Sequence, residues 1–234
     1  MTMLNSNGQA KKIKNHFNSD IVDYDACCNK VVPMNDEIHN IIVDSIPFDR
    51  KLKLKILDLG VGTGLGALKI LNEFPNSQLT GIDFSSKMIS RARERLKIFG
   101  NRVKLIEADF NKIDFPEKYD VIVSVVTIHN SNETYQKKLM SKIFNNLKDN
   151  GCFLNGDFVK TKSEFLNKKL DEFYKEYLMN NLRGEELKVW LRHAFEEDKP
   201  VILEDQLLWM KEAGFKEIEC IWRYENLAVY YGMK

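Results

Sequence analysis

Residues 55–66, Lys-Ile-Leu-Asp-Leu-Gly-Val-Gly-Thr-Gly-Leu-Gly, restrict the fold more than any other part of this 234-residue chain. An apolar run, Ile56, Leu57 and Leu59, is interrupted only by Asp58 and gives way to Gly60, Gly62, Gly64 and Gly66. Leu65, Leu68, Ile70 and Leu71 follow at helical spacing. The pattern predicts a buried strand, a tight turn and a helix, the opening of a nucleotide-binding βαβ unit. A turn without Cβ atoms lets the backbone adopt positive φ and lets a ligand come close. The first N–H groups of the following helix have no partner inside it and stay available as donors.

The next strand narrows the choice of ligand. Gln78–Asp83 reads Gln-Leu-Thr-Gly-Ile-Asp and ends in an acid where such folds hold a ribose through its hydroxyls. Two ligands fit this much, a dinucleotide or S-adenosylmethionine (SAM). Read from Gly62 the glycines give G-x-G-x-x-A, which suits the dinucleotide. Read from Gly60 they give G-x-G-x-G with Asp58 two residues earlier. A carboxylate there repels a pyrophosphate and helps hold a cationic amino-acid end.

Five segments in order carry a resemblance to a known family. Asp58-Leu-Gly-Val-Gly-Thr-Gly64 resembles motif I of the class I SAM-dependent methyltransferases, and Gly81-Ile-Asp-Phe-Ser-Ser-Lys-Met88 resembles their second motif. Glu107-Ala-Asp-Phe110 is similar to the third, Tyr119–Ser124 to the fourth strand, and Leu147–Leu154 to the approach to the fifth. The resemblance implies SAM as cofactor and S-adenosylhomocysteine as product. It places Gly60, Gly62 and Gly64 against the methionyl and ribose portions, with Asp58 beside them. Asp83 accepts from both ribose hydroxyls, as an acceptor-only carboxylate can, and Phe84 belongs to the same motif. Met88 lies on the adenine face or simply in the core. Asp109 accepts from the adenine amino group, the Phe110 N–H donates to the ring, and Ser124 ends the fourth strand beside the cofactor. Tyr24, in a Tyr-Asp dipeptide that recurs in such enzymes, lies against the methionine end or packs on the core.

Strand and helix patterns alternate from Leu54 to Phe158, which implies an α/β, Rossmann-like doubly wound sheet. It is expected to be mostly parallel, with an antiparallel C-terminal hairpin strand from Glu217–Trp222 and Asn226–Tyr231. Ser85 is the expected N-cap of the second core helix, and Gly151 the expected helix stop before the fifth strand. A single methyltransferase domain spans 1–234. Within it, 11–45 form a helical N-terminal cap broken near Pro33, and 161–199 a helical lid insert. The insert's Phe165, Phe173, Tyr174, Tyr177, Trp190 and Phe195 are expected, with Tyr24, to line an acceptor pocket.

Methyl transfer is an in-line displacement at carbon, so alignment matters more than acid–base chemistry. A base is needed only where the nucleophile carries a proton. His129, beyond the fourth strand, is the candidate catalytic base; the alternative is that it only shapes the pocket. Resembling enzymes often carry His-His here, whereas this chain has His129-Asn130.

Charge and composition prune the partners. Lys and Arg total 35 against 34 Asp and Glu, so no basic excess points to nucleic acid or an anionic membrane. The Asn/Asp-Pro-Pro-Tyr/Phe signature of base amino-methyltransferases is missing after the fourth strand. Histidines 16, 39, 129 and 193 lack metal-ligand spacing, so no metal is expected. No apolar run reaches membrane-span length, the polar start lacks a signal-peptide pattern, and four cysteines without C-x-x-C suit a cytoplasmic protein. A homodimer is compatible with the sequence.

The expected function is methyl transfer from SAM to an O or N nucleophile of a small molecule or short peptide. One alternative is a SAM-derivative synthase similar to the carboxy-SAM synthase of tRNA wobble-uridine modification. That chemistry needs an arginine for the extra carboxylate, for which Arg192 is the candidate in the insert. Another is a non-catalytic SAM-binding regulatory protein.

Overall fold

The structure, a computed structural model, describes residues 24–234, with Tyr24 by its backbone alone. The strands are β1 (Lys55–Leu59), β2 (Gln78–Asp83), β3 (Val103–Glu107), β4 (Tyr119–Val125), β5 (Leu147–Phe158), β6 (Lys216–Tyr224) and β7 (Leu227–Met233). They form one sheet in the order β3-β2-β1-β4-β5-β7-β6. β1 to β5 pair in parallel, and β7 runs antiparallel to both of its neighbours. The doubly wound, mostly parallel fold expected from the alternation is therefore present.

Alternate side chains on each strand feed opposite cores, as the two-residue strand period requires. On β4, Val121 and Val123 join one cluster and Ile122 the other. The first cluster is covered by α2 (Asn35–Asp44), α3 (Leu65–Glu73) and α4 (Ser86–Leu96), through Ile38, Ile42, Ile70, Leu71 and Ile89. The second is covered by α5 (Glu133–Asn146) and α8 (Leu203–Ala213), through Leu139, Ile143, Trp209 and Met210. Ile38 and Ile42 of α2 are 0% and 1% exposed, and burying each contributes roughly 1.5–3 kcal/mol. They lie directly on β5, because a Cβ at Gly156 would stand 2.4 Å from the Ile38 side chain. The helical N-terminal segment is thus part of the core along the stretch described.

Caps set the helix starts. Ser85 Oγ accepts from the Met88 N–H, as expected, and Asn132 and Ser163 cap the next two helices the same way. One boundary differs from expectation. α5 stops at Asn146, and Gly151 lies inside β5, which starts at Leu147 and shifts register between Tyr119 and Val121 of β4. A Cβ at Gly151 would sit 2.9 Å from the Lys148 carbonyl, so the glycine serves this irregularity.

The insert comprises α6 (Glu164–Asn181), α7 (Gly184–Arg192) and a single π-helical turn, His193–Glu197. It rests on the first described helix, α1 (Tyr24–Val31): the hydroxyls of Tyr174 and Tyr177 donate to the Val31 and Asn29 carbonyls, each at 2.9 Å. No described helix is long and apolar enough to cross a membrane.

Candidate active site

A cavity of about 520 Å³ follows the carboxyl ends of the parallel strands. Its wall runs from Asp109 and Phe110 after β3, past Asp83 and Phe84 after β2 and Asp58 and Gly60 at β1, to His129 after β4 and Phe158 at β5. Crevices at this edge of open α/β sheets are where ligands bind. Of the expected site residues, Gly62 and Met88 also share the wall. Two do not. Ser124 is fully buried and donates to the Leu59 carbonyl at 2.9 Å, tying β4 to β1. Gly64 caps α3 and faces α4, where a Cβ would meet Leu96 at 3.1 Å. The side chain of Tyr24 lies outside the described residues.

The motif I turn is held by the strand beside it. Gly60 and Val61 N–H groups donate to the Ile82 carbonyl at 2.8 and 3.1 Å. Gly60 has φ +78, and a Cβ there would stand 2.3 Å from the Thr127 side chain, so both dihedral and space demand glycine. Asp83 accepts from the N–H of Gly62 at 3.0 Å and of Ser85 at 2.8 Å. Burial raises its pKa to about 6 against the pull of the Ser85, Gly62 and Phe84 N–H groups. Burial, with the charge of Asp83, raises Asp58 to about 7. Two buried carboxylates that repel each other suit a ligand bringing positive charge and hydroxyl donors, and a sulfonium with an ammonium and a ribose meets that demand. Asp109 accepts from the Asn111 N–H at 3.0 Å and pairs with Lys112 at 3.1 Å.

A contact absent from the sequence reading ties α1 to this turn. Asp25 accepts from Thr63 Oγ1 at 2.6 Å and forms an ion pair with Arg95, which also donates to the Thr63 carbonyl at 3.0 Å.

The far end is built around His129. Its Nδ1 lies 2.5 Å from Asp157 Oδ1, its backbone N–H donates to Asp157 Oδ2 at 3.1 Å, and its Nε2 lies 3.5 Å from Asp198 Oδ2. Burial alone disfavours the charged ring, but Asp157 and Asp198 outweigh it and push the pKa to about 10. Asn130 Nδ2, 3.4 Å from the same Nε2, would suit a neutral ring; one amide does not offset two carboxylates. A ring held as a cation has no lone pair to take a proton, which suits the alternative in which His129 shapes the pocket rather than acting as a base. The chain of contacts continues into the insert, with His193 Nε2 3.3 Å from Asp198 Oδ1 and His193 Nδ1 3.2 Å from Glu197 Oε2. The Lys199 N–H donates to the His129 carbonyl at 2.8 Å, so the end of the insert is hydrogen-bonded to the loop after β4. That loop includes Val126 at φ +49, a strained conformation for a β-branched residue, on the cavity wall.

Of the insert aromatics, Tyr174 and Trp190 reach the wall, joined by Phe158 of β5. Phe165 is 68% exposed, and Phe173 packs on Tyr224 instead. Arg192 is not on the wall: its side chain is 60% exposed, with Nε 3.6 Å from Glu197.

The strand order, the acidic turn and the cleft along the strand ends define the fold of the class I SAM-dependent methyltransferases. Residues 56–151 match the family described as the methyltransferase domain. The chain belongs to the class I SAM-dependent methyltransferase family, in which carboxy-S-adenosyl-L-methionine synthases are relatives over nearly its whole length. It is 31% identical to that synthase of Nautilia profundicola and 26% identical to that of Campylobacter lari, each over 212 residues and 90% of both chains. Among solved structures it resembles an O-methyltransferase family protein from Burkholderia thailandensis, with TM-score 0.70 and 13% identity, over 94% of this chain and 62% of that one. It also resembles human N-acetylserotonin methyltransferase in complex with SAM, with TM-score 0.59 and 16% identity, over 84% and 51%. The protein is an enzyme that uses SAM.

Proposed function

We propose that the enzyme transfers the SAM methyl group to a nitrogen or oxygen nucleophile of a small molecule or short peptide. SAM supplies a methyl group already activated by its sulfonium. Asp83 would hold the ribose hydroxyls, Asp58 and the Gly60–Gly62 turn the charged amino-acid end, and Met88, Asp109 and Phe110 the adenine. The task left to the protein is to hold the nucleophile in line and keep water out, for which positioning supplies roughly 7–11 kcal/mol. The insert at 161–199 would act as the lid, with Tyr174 and Trp190 over the acceptor.

The observation that carries this reading over carboxy-SAM synthesis is the charge at the acceptor end. The histidine cation on that wall, His129, is already set between Asp157 and Asp198. Arg192, the arginine expected to meet an added carboxylate, stands outside at Glu197. The similarity to carboxy-SAM synthases over 90% of both chains favours the second reading, a synthase of a carboxylated SAM. Mass spectrometry separates them. Purified enzyme incubated with SAM and a panel of amines and phenols should form S-adenosylhomocysteine and methylated acceptor. Carboxy-SAM bound to the purified protein, with no S-adenosylhomocysteine formed from any acceptor, would overturn the proposal in favour of the synthase.

A further inference from the structure

Gly66 is the fourth glycine of the motif I stretch, and unlike Gly60, Gly62 and Gly64 it has no positive φ to require it. It lies in the first turn of α3 and makes room for a side chain from another helix. A Cβ at Gly66 would stand 3.1 Å from His39 Cδ2, 3.5 Å from His39 Nε2 and 3.9 Å from Asp58 Oδ2. The packing of α2 on α3 and the end of β1 thus brings an imidazole and a carboxylate within 3.9 Å of one point. His39, Asp58 and Gly66 all line the cavity.

The imidazole is oriented from within α2. Its Nδ1 lies 2.8 Å from the Asn35 carbonyl one turn earlier. A carbonyl only accepts, so Nδ1 carries the proton and Nε2 is left with the lone pair of a neutral ring. Burial, helped by Lys69, lowers the pKa of His39 from 6.5, against the Asn35 carbonyl, Asp36 and Asp25, which favours that neutral form. Asp58 is 4% exposed, and among the described residues its carboxylate accepts no hydrogen bond. Two acceptors share this corner of the cavity, and a buried acceptor without a donor is costly until a ligand supplies one.

We infer that His39 is a cofactor-binding residue: its Nε2 and the Asp58 carboxylate together receive the α-ammonium of SAM, and residue 66 is glycine so that the ring can reach it. This rests on SAM lying with its amino-acid end at Asp58, and it holds for a methyltransferase and for a carboxy-SAM synthase alike. An ammonium brings three N–H donors. Asp58 takes one with its full charge, and the His39 lone pair takes a second. A carboxylate in the same corner would face the charge of Asp58 and the lone pair of the ring. The corner therefore selects the amine of the amino acid over its carboxylate.

The test measures, by calorimetry on the whole protein, the binding of S-adenosylhomocysteine, its decarboxylated analogue, its deaminated analogue and 5′-methylthioadenosine, which lacks both groups. The wild type should bind the decarboxylated analogue at least about tenfold more tightly than the deaminated one, the size of one charge-assisted hydrogen bond. His39→Leu should remove most of that preference, and His39→Gln, which keeps an acceptor oxygen, should restore part of it. Binding of 5′-methylthioadenosine should be unchanged in both variants, a readout that a purely structural His39 would move. Should His39→Leu not fold, His39→Phe, which keeps a ring in the same space, takes its place. No preference for the amine in the wild type, a preference that survives His39→Leu intact, or an equal loss of all ligands in that variant would each overturn the assignment of His39. Those results leave SAM in its cleft. Failure of S-adenosylhomocysteine to bind the wild type would instead strike the cofactor placement on which the inference rests.

Discussion

His129 Nδ1 stands 2.5 Å from Asp157 Oδ1, and the two side chains are 3% and 0% exposed. This pair joins the loop after β4 to the end of β5. Through Asp198 it also reaches the insert. Its charge state therefore bears on both stability and the shape of the acceptor end.

Replacing His129 with Gln should destabilise the protein by about 3–5 kcal/mol, the range for leaving one member of a buried pair without its partner. The pH dependence has a definite sign. The folded pKa of about 10 lies above the free histidine value of 6.5, so the folded state binds the proton more tightly. The contribution is complete below about pH 6.5 and is lost as pH rises through about 10. Urea unfolding of wild type and His129→Gln between pH 7 and 10 should show their stabilities converging. A constant gap would mean the ring is not held as a cation.

Asp58 and Asp83 predict proton release on SAM binding. In the ligand-free cavity they titrate near 7 and 6 through burial and, for Asp58, mutual repulsion. A cationic ligand lowers both values, so affinity should weaken as pH falls from about 7.5 to 5.5, and protons should be released near pH 6.5. Calorimetry in two buffers of different ionisation enthalpy counts them, and Asp58→Asn should lower the count. Without ligand the sign is opposite for stability: raised carboxylate pKa values make the folded state lose stability as pH climbs from about 4 to 7. Buffer-independent binding heats would contradict the assignment.

Asp83→Ala should weaken SAM binding by on the order of 1–3 kcal/mol, the range for a lost charged hydrogen bond. It also removes the acceptor of the Gly62 and Ser85 N–H groups. Circular dichroism therefore accompanies the binding measurement. A folded variant with wild-type affinity would remove Asp83 from the site.

Gly60→Ala combines two costs, a left-handed φ worth roughly 1–2 kcal/mol for a residue with a Cβ and a contact 2.3 Å from Thr127. Thermal melts should show a loss of several degrees, and SAM binding should fall with it. Unchanged melting would show that the turn relaxes and that Thr127 does not constrain it.

Arg95→Ala should loosen α1 over the cofactor end, because Arg95 links Asp25 of that helix to Thr63 of the motif I turn. Hydrogen exchange of residues 24–31 should rise in the variant while the core strands keep their protection. Added S-adenosylhomocysteine should slow exchange there in the wild type more than in the variant. Identical exchange in the two proteins would mean that apolar packing alone holds α1.

The sequence by itself determined the strand–turn–helix at 55–73, the alternation of elements, the Ser85 cap and the acid at the end of β2. Each depends on residues close together in the chain: apolar periodicity, a cap three residues from its donor, glycines where a Cβ is not tolerated. The tertiary structure alone decided what those residues face. Gly64 belongs to the same motif as Gly60 and Gly62, yet it turns toward α4 because α3 starts there. Ser124 spends its hydroxyl on the neighbouring strand. His129 was legible as a residue of the cleft but not as a cation, since its proton is held by Asp157 and Asp198, which only chain folding brings beside it. Burial and charges a few ångströms away set a pKa, and sequence distance carries no information about either. The partners of Asp25, His193 and Asp198 went unread for the same reason: a polar residue at the end of an amphipathic helix looks solvated until packing places it against a cavity.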